Sequence, residues 1–338
     1  MSAPDWPRAH GAPVCQARLR ALPEDFQVEE ELPFAPSGAG EHLLLRVRKR
    51  GQNTEFTARR LAQCAGVSAR EVSYAGLKDR QAVTTQWFSL LIGRRQIPDW
   101  SGLAVEGIEV LEVHRHARKL RRGALRGNRF VILLREFSGD AAGTEARLRT
   151  LVTRGVPNYF GEQRFGREGG NLEQARRLFA GEYRAPRYER GLLLSAARSE
   201  LFNRVLARRV AQGSWDGALA GDVMLLAGTH SLFRCPVPDA TIAARLATAD
   251  IHPTGPMWGG GEEMTTDACR ALEADVLGGE PELCAGLVQA GLEMDRRALR
   301  VLPQALCWEW PTDEQLQLAF SLPAGAYATA VLRELARY

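Results

Sequence analysis

The chain has 338 residues, 45% hydrophobic and 25% charged, with a formal net charge of +4. That length exceeds one ordinary core, so one large or two moderate domains are expected, and the composition excludes a disordered or fibrous chain. A mildly basic balance permits an acidic partner without requiring one, so the placement of charge matters more than its total.

Met1 to Pro13 has no basic start and no apolar core, so no signal peptide is expected, and no apolar run approaches the length of a membrane span. The cytoplasm is the expected compartment. Phe26 and Val28 alternate with Gln27 and Glu29, and Leu43 to Val47 is a second apolar run; both read as strands. Asn53 or Thr54 caps a helix whose Ala58, Leu61, Ala62 and Ala65 share a face, and Gly66 stops it. Ser68-x-x-Glu71 is a capping box for a short helical turn. One strand ends over Ser73 to Ala75, and the next runs from Gln86 to Ile92. Further strands are expected at Ile108 to Val113, Phe130 to Leu134 and Leu316 to Leu322.

After Gly155-Val156-Pro157 helical patterns dominate. Asn171-x-x-Gln174 resembles a capping box, and a longer helix is expected from Leu194 or Ser195 to about Gln212. The glycines from Gly255 to Gly261 suggest a mobile loop. Strand character resumes near Trp308. Mixed elements without a steady βαβ rhythm indicate an α+β fold. The expected domains are a core of residues 1–153 and 302–338 and an inserted domain of 154–301.

The six cysteines have no Cys-x-x-Cys spacing, and His114-x-His116 lacks a third ligand, so no metal site is expected. Phosphate-binding glycine motifs are absent, so no nucleotide cofactor is expected either. The stretch Tyr74-Ala75-Gly76-Leu77-Lys78-Asp79-Arg80-Gln81-Ala82-Val83-Thr84-Thr85-Gln86 places one acid between two bases, in a turn between two strands. Loops on a rigid scaffold often carry reactive groups. A lone carboxylate with no second acid beside it suits a nucleophile or base more than an acid/base pair. The densest basic segment, Arg115 to Arg126, holds Arg118, Lys119, Arg121 and Arg122 with no acid; Arg46, Arg48, Lys49 and Arg50 form a second cluster. Both flank the Asp79 loop in sequence, as a phosphate-lined cleft would require.

These blocks resemble the TruD family of tRNA pseudouridine synthases. The Asp79 stretch is similar to that family's Gly-x-Lys-Asp-[Lys/Arg]-x-Ala-Val-Thr-x-Gln pattern. Pro23-Glu24-Asp25-Phe26, Gly127-Asn128, Asn158-Tyr159-Phe160-Gly161, Gln163-Arg164-Phe165-Gly166, Ser195-Ala196-Ala197-Arg198 and Leu322-Pro323-Ala324-Gly325 follow in family order. The resemblance implies a pseudouridine-synthase core with a mixed, mainly antiparallel sheet, an inserted α/β domain, and a cleft between them. It implies isomerisation of uridine to pseudouridine, at position thirteen of the tRNA D-arm, by a monomer without cofactor. Asp79 is then the catalytic group, and Arg20 a cation beside it. Phe26, Asn128 and Tyr327 contact the substrate base, and Lys78, Arg80, Arg118, Lys119, Arg121 and Arg122 contact RNA backbone. At Tyr327 better-known members have phenylalanine, so its hydroxyl is free to bond the base or Asp79. Phe130 is a further candidate ring for the base, but its Val-Ile-Leu-Leu setting reads as core. The rival expectation is a non-catalytic RNA-binding protein on the same fold.

Overall fold

A computed structural model of the chain describes residues 5–93, 95–101, 103 and 107–338, the side chain of Arg167 excepted. Two compact units emerge. One comprises Cys15–Ala141, Pro303–Gly325 and Ala336–Tyr338; the other comprises Met1–Val14, Ala142–Leu302 and Ala326–Leu335.

The first unit is built on a mixed sheet. Its early strands are β1 (Cys15–Arg18), β2 (Phe26–Glu31), β3 (His42–Arg50), β4 (Val72–Tyr74), β5 (Val83–Leu91), β6 (Ile108–His116) and β7 (Gly127–Gly139), with helix α1 (Thr54–Cys64) between β3 and β4. The hydrogen-bonded order is Gln304–Thr312, Gln315–Pro323, β7, β2, β5, β3, β6, with β1 beside β7 and β4 on β5. Only β2 with β5 and β1 with Ala336–Arg337 run parallel among the described pairs. The fold is α+β with a mainly antiparallel sheet, as its element pattern suggests.

The run Leu43-Leu44-Leu45 is continuously apolar because both faces of β3 are covered. On one face Leu43, Leu45 and Val47 join Phe88 and Leu90 beneath Ala58, Leu61 and Ala62 of α1. On the other, Leu44 and Trp87 pack with Ala75 and Leu120. Ala75 opens the Asp79 loop and Leu120 anchors the basic segment, so this second apolar cluster fixes both segments to one sheet face. Asn53 caps α1 by accepting the Phe56 N–H at 2.7 Å, and Gly66 follows the helix with φ +61°.

In the second unit, α2 (Ala141–Arg154) leads to Gly155, and α3 (Gly170–Phe179) packs on α4 (Arg187–Ala211). A four-stranded sheet runs Leu232–Cys235, Asp222–Leu226, Ile251–Met257, Asp295–Ala298. Helix α4 organises this unit. Ala196, Phe202, Leu206 and Val210 face Phe160, Phe165, Trp215 and Leu299, while Ala197, Leu201 and Val205 face Leu277, Leu283 and Leu287.

Four sequence expectations change. The second unit starts near Ala142 instead of 154 and takes in both a leading and a trailing segment. The reason is apolar burial: Trp6 stacks on Tyr159 at 6.0 Å and the His10 ring lies edge-on to Trp215 at 5.7 Å. Helix α4 begins two turns early, at Arg187, because Pro186 serves as its N-cap although the exposed first residues show no apolar period. Asn171 does not cap α3; Gly169 occupies that position, and the Asn171 amide donates to the Arg164 carbonyl at 3.3 Å. Gly255 lies in a strand, where a Cβ would come within 2.8 Å of Leu299 and 3.1 Å of Phe202; Gly259 meets the Glu293 backbone, and Gly260 bridges to Glu293. These glycines permit close packing instead of forming a mobile loop.

Gly155 ends α2 with φ +74°, and a Cβ there would sit 2.5 Å from the Val301 carbonyl oxygen. The clash is with backbone, so it has no easy relief. Gly155→Ala is expected to destabilise the protein by at least about 1–3 kcal/mol. The urea midpoint measures this, and a parental midpoint would show that the turn can repack.

Candidate active site

Asp79 sits in the loop between β4 and β5, with its side chain 36% exposed. Its Oδ2 accepts from Arg20 Nη2 at 2.8 Å. Arg20 has φ +59°, a conformation that costs a side-chain-bearing residue of order 1–3 kcal/mol and persists only where surroundings enforce it. Those surroundings are Asp79 on one side and the Phe26 ring on the other, with the guanidinium carbon 4.1 Å from the ring centroid. Phe26 itself is 3% exposed and meets Phe130 edge-on at 6.2 Å. Its face therefore carries Arg20, and the expected stacking on a base is not available to it in this arrangement. Phe130 is buried and also contacts Phe320, in keeping with its strand setting.

The loop is pinned by neutral hydrogen bonds that join separate elements. The Lys78 N–H donates to Thr54 Oγ1 at 3.0 Å, and Thr54 Oγ1 donates to Gln86 Oε1 at 3.1 Å. Gln86 Nε2 in turn donates to the Gly76 carbonyl at 2.6 Å. The first residue of α1 and a residue inside β5 thus clamp both sides of the turn that presents Asp79. Arg80 Nε donates to the Gly51 carbonyl at 3.0 Å and leaves most of the side chain exposed.

Beneath the loop is a buried charged group of three. Lys78 Nζ lies 2.7 Å from Glu30 Oε1, and Glu30 Oε2 accepts the Trp87 N–H at 2.9 Å. Lys49, 1% exposed, donates to the Gln52 carbonyl at 2.8 Å and the Asp79 carbonyl at 3.3 Å. Burial opposes charge on both sides. It raises the Glu30 carboxyl, and together with the positive charge of Lys78 it brings Lys49 down to about 8. Lys78 was expected on RNA backbone; its ammonium is turned inward to a buried carboxylate, because Glu30 needs a counter-ion more than solvent needs the lysine.

The two basic clusters differ. Arg46 pairs with Glu29 and Glu112, Arg48 with Glu109 at 3.2 Å, and Arg50 with Glu24. The three arginines of that cluster are paired with acids of neighbouring strands and of the turn Pro23–Asp25, contrary to the cluster's expected role in a phosphate-lined cleft. Arg118, Lys119, Arg121 and Arg122 are exposed, and among the described residues none is ion-paired. Their loop is tied down by Leu120 N–H to Ser89 Oγ at 2.9 Å and by Gly123 N–H to the Ala75 carbonyl at 2.7 Å. Lys119, Arg121 and Arg122 line a groove of about 560 Å³ with Tyr74, Glu55 and Arg59, and Arg122 lies over the Tyr74 ring at 5.3 Å.

Asn128 in β7 is registered opposite Glu30, and its Oδ1 is buried with no partner among the described residues. Tyr327 belongs to the second unit. Its hydroxyl accepts from Arg164 Nε at 3.1 Å and Nη2 at 2.7 Å, in place of the expected bond to Asp79 or a base. Sequence reasoning missed Glu30, and it gave Lys49, Thr54 and Gln86 other parts than those they have here. A polar or charged residue within an apolar strand pattern was the signal for Glu30, Lys49 and Gln86, whereas Thr54 was legible as a helix start. Among the described residues no cluster of histidine, cysteine and carboxylate side chains suits a metal, all six cysteines are free, and no helix is long and apolar enough to cross a membrane.

The fold is shared with a crystal structure assigned to tRNA pseudouridine synthase D (TruD) of Methanosarcina mazei. That match has a TM-score of 0.71 at 23% identity, covering 97% of this chain and 95% of that one. Sequence carries the identification further. The family model described as tRNA pseudouridine synthase D (TruD) matches residues 8–185 and 183–335. The tRNA pseudouridine synthase D of Xanthomonas axonopodis pv. citri is 51% identical, over 97% of this chain and 94% of that protein. The enzyme of the same name from Methylococcus capsulatus is 49% identical, over 99% and 95%. The chain belongs to the TruD family.

Lys49 makes stability depend on pH with a definite sign. From about 8 to the ordinary lysine value of 10.5, the unfolded chain binds a proton that the folded chain has released. Stability therefore rises with pH across that window, and the burial penalty is felt in full below it. The parent is expected to gain stability over Lys49→Met between these pH values. Urea denaturation of both proteins in a pH series measures it, and parallel curves would mean that Lys49 titrates normally.

Proposed function

We propose that this chain isomerises uridine to pseudouridine in tRNA, at position thirteen of the D-arm, as a cytoplasmic enzyme. One observation carries the reading: a loop-tip carboxylate, clasped by a strained arginine and still a third exposed, is the reactive group the family signature calls for. The tRNA specificity draws on family membership, and position thirteen on the resemblance of the signature.

The reaction breaks the bond between ribose C1′ and uracil N1, turns the base, and joins C1′ to C5; the C5 proton is then lost and N1 ends protonated, so the composition is unchanged. No electrons are lost or gained overall, so the residues must extrude, hold and activate the nucleotide. Asp79 opens the glycosidic bond by attack at C1′, by removing the C2′ proton or by addition to the uracil ring; each begins with a carboxylate aimed by Arg20. Asn128 offers its unsatisfied amide oxygen to a donor of the uracil edge, where a ligand hydrogen bond would relieve a burial cost of about 1–3 kcal/mol. Tyr327 supplies a ring face for the base, a stacking contribution of about 1–3 kcal/mol. Arg118, Lys119, Arg121, Arg122 and the exposed part of Arg80 contact phosphates. Arg20, Lys78, Lys49, Thr54 and Gln86 act through Asp79 as positioning residues.

Asp79→Asn preserves the shape and removes the nucleophile or base. It is expected to abolish pseudouridine formation while tRNA binding stays within a few-fold of the parent. Pseudouridine mapping of total tRNA, with and without each protein, tests this; comparable turnover by the variant would sink the assignment. Activity at a different uridine would overturn only the position.

The exposed loop gives an independent test. Neutralising Arg118, Lys119, Arg121 and Arg122 is expected to weaken tRNA binding and flatten its salt dependence. Each lost phosphate contact should lower the log–log slope by roughly 0.7–0.9. An unchanged slope would place these side chains in solvent only.

A further inference from the structure

Arg164 lies in a short 3₁₀ turn, Glu162–Phe165, in the second unit. Its guanidinium is held by two neutral hydroxyls: Tyr327 accepts from Nε and Nη2, and Ser195 Oγ accepts from Nη1 at 2.7 Å. No carboxylate pairs with it among the described residues. An arginine has five N–H groups. These three bonds leave one N–H on each terminal nitrogen, the pair that forms a fork for an oxyanion. Arg164, Ser195 and Tyr327 are all half-buried, so the fork is ordered yet reachable.

The surroundings favour an anion. The Arg164 guanidinium carbon lies 5.4 Å from the centroid of Phe160, and that of Arg297 lies 4.2 Å from the same ring. Arg297 is oriented by Asn158 Oδ1 at 2.7 Å, and burial together with the charge of Arg164 brings it down to about 10. Two cations gathered on one aromatic ring repel each other, and a bound anion would offset that repulsion. The backbone is shaped for this arrangement. A Cβ at Gly161 would come within 3.3 Å of the Tyr327 ring, and the Asn171 amide holds the Arg164 carbonyl at 3.3 Å.

We infer that Arg164, oriented by the Tyr327 and Ser195 hydroxyls, binds one phosphodiester of the substrate RNA. This rests on the reading of the chain as a tRNA-modifying enzyme and deepens it. It also assigns the Tyr327 hydroxyl: the ring serves the base, and the oxygen fixes the arginine.

The test compares the parent with Arg164→Gln, Arg164→Lys and Tyr327→Phe, each first checked for a parental thermal transition. Binding of tRNA is measured across a salt series. Arg164→Gln should lower the log–log slope by about 0.7–0.9 and weaken binding roughly tenfold at low salt. Arg164→Lys should keep the slope but lose affinity, because a point charge replaces the fork. Tyr327→Phe should weaken binding several-fold at an unchanged slope, since the charge remains and its orientation is lost. An unchanged slope and affinity in Arg164→Gln overturn the proposal; if that variant fails to fold, parental affinity in Tyr327→Phe does so. A second arm needs no RNA. Inorganic phosphate, titrated at constant ionic strength, should raise the thermal transition of the parent but not of Arg164→Gln. A parent that responds to phosphate through Arg164 yet ignores tRNA keeps the anion site and defeats the tRNA reading. A parent that binds tRNA while Arg164→Gln matches it in slope and affinity defeats the site.

Discussion

The clamp that Thr54 and Gln86 place on the Asp79 turn is the constraint on which the rest of the site depends. A carboxylate at a loop tip is useful only if the loop stays in one place. Here the turn is fastened on one side through the Lys78 N–H and on the other through the Gly76 carbonyl. Both fastenings meet at one hydrogen bond between a helix N-terminus and a central strand. They are neutral, so salt and pH leave them alone. The charged layer below is different. Glu30 is shielded from water by the sheet, Lys78 answers it, and Lys49 carries the cost of its own burial and of the like charge of Lys78. Lys49 nevertheless has a use, since its ammonium reaches the backbone oxygen of Asp79 itself.

Arg20 shows how such a site spends stability. Its left-handed backbone is a cost, and burying its Nε without a partner adds to it. The return is a guanidinium held flat on Phe26 and bonded to Asp79. Stacking and ion pairing set the plane and the direction of one group together, which neither would do alone. Phe26 thus serves the carboxylate through the arginine, although the family pattern places it at the substrate.

The strand and helix pattern of the first unit was legible because its chemistry is local. Asn53 and Gly66 bracket α1, Ser68 and Glu71 form their capping box, the apolar periods of β2 and β7 match their buried faces, and the unbroken apolar run of β3 matches its burial on both faces. The Arg20–Asp79 pair was legible only through the family resemblance, since 59 residues separate the two. Other features could not be read because they depend on which strands become neighbours. Arg46, Arg48 and Arg50 look identical in kind to Arg118, Arg121 and Arg122 until the sheet places Glu29, Glu112, Glu109 and Glu24 beside the first group. Gly255 and Gly259 looked like a loop because composition records the missing side chain and not the neighbour that requires its absence. The burial of Trp6 against Tyr159 is likewise a contact between distant segments, and it moves a unit boundary that helical periodicity had placed elsewhere.

Charge that is left uncompensated is therefore more informative than charge that is abundant. The chain is only mildly basic, and many of its arginines are answered by a nearby acid. The deep pairs, Arg209 with Asp222 and Arg296 with Glu273, are almost wholly buried and hold the second unit together. Among the described residues, the exposed basic residues Arg118, Lys119, Arg121 and Arg122 in one unit and the hydroxyl-bound Arg164 in the other have no ion pair, and of these Arg164 is the one held by side-chain hydrogen bonds. Ordering a guanidinium costs side-chain entropy, and leaving it without a carboxylate forgoes the usual compensation. On the proposed reading, phosphates of the RNA substrate would supply that compensation at each place separately.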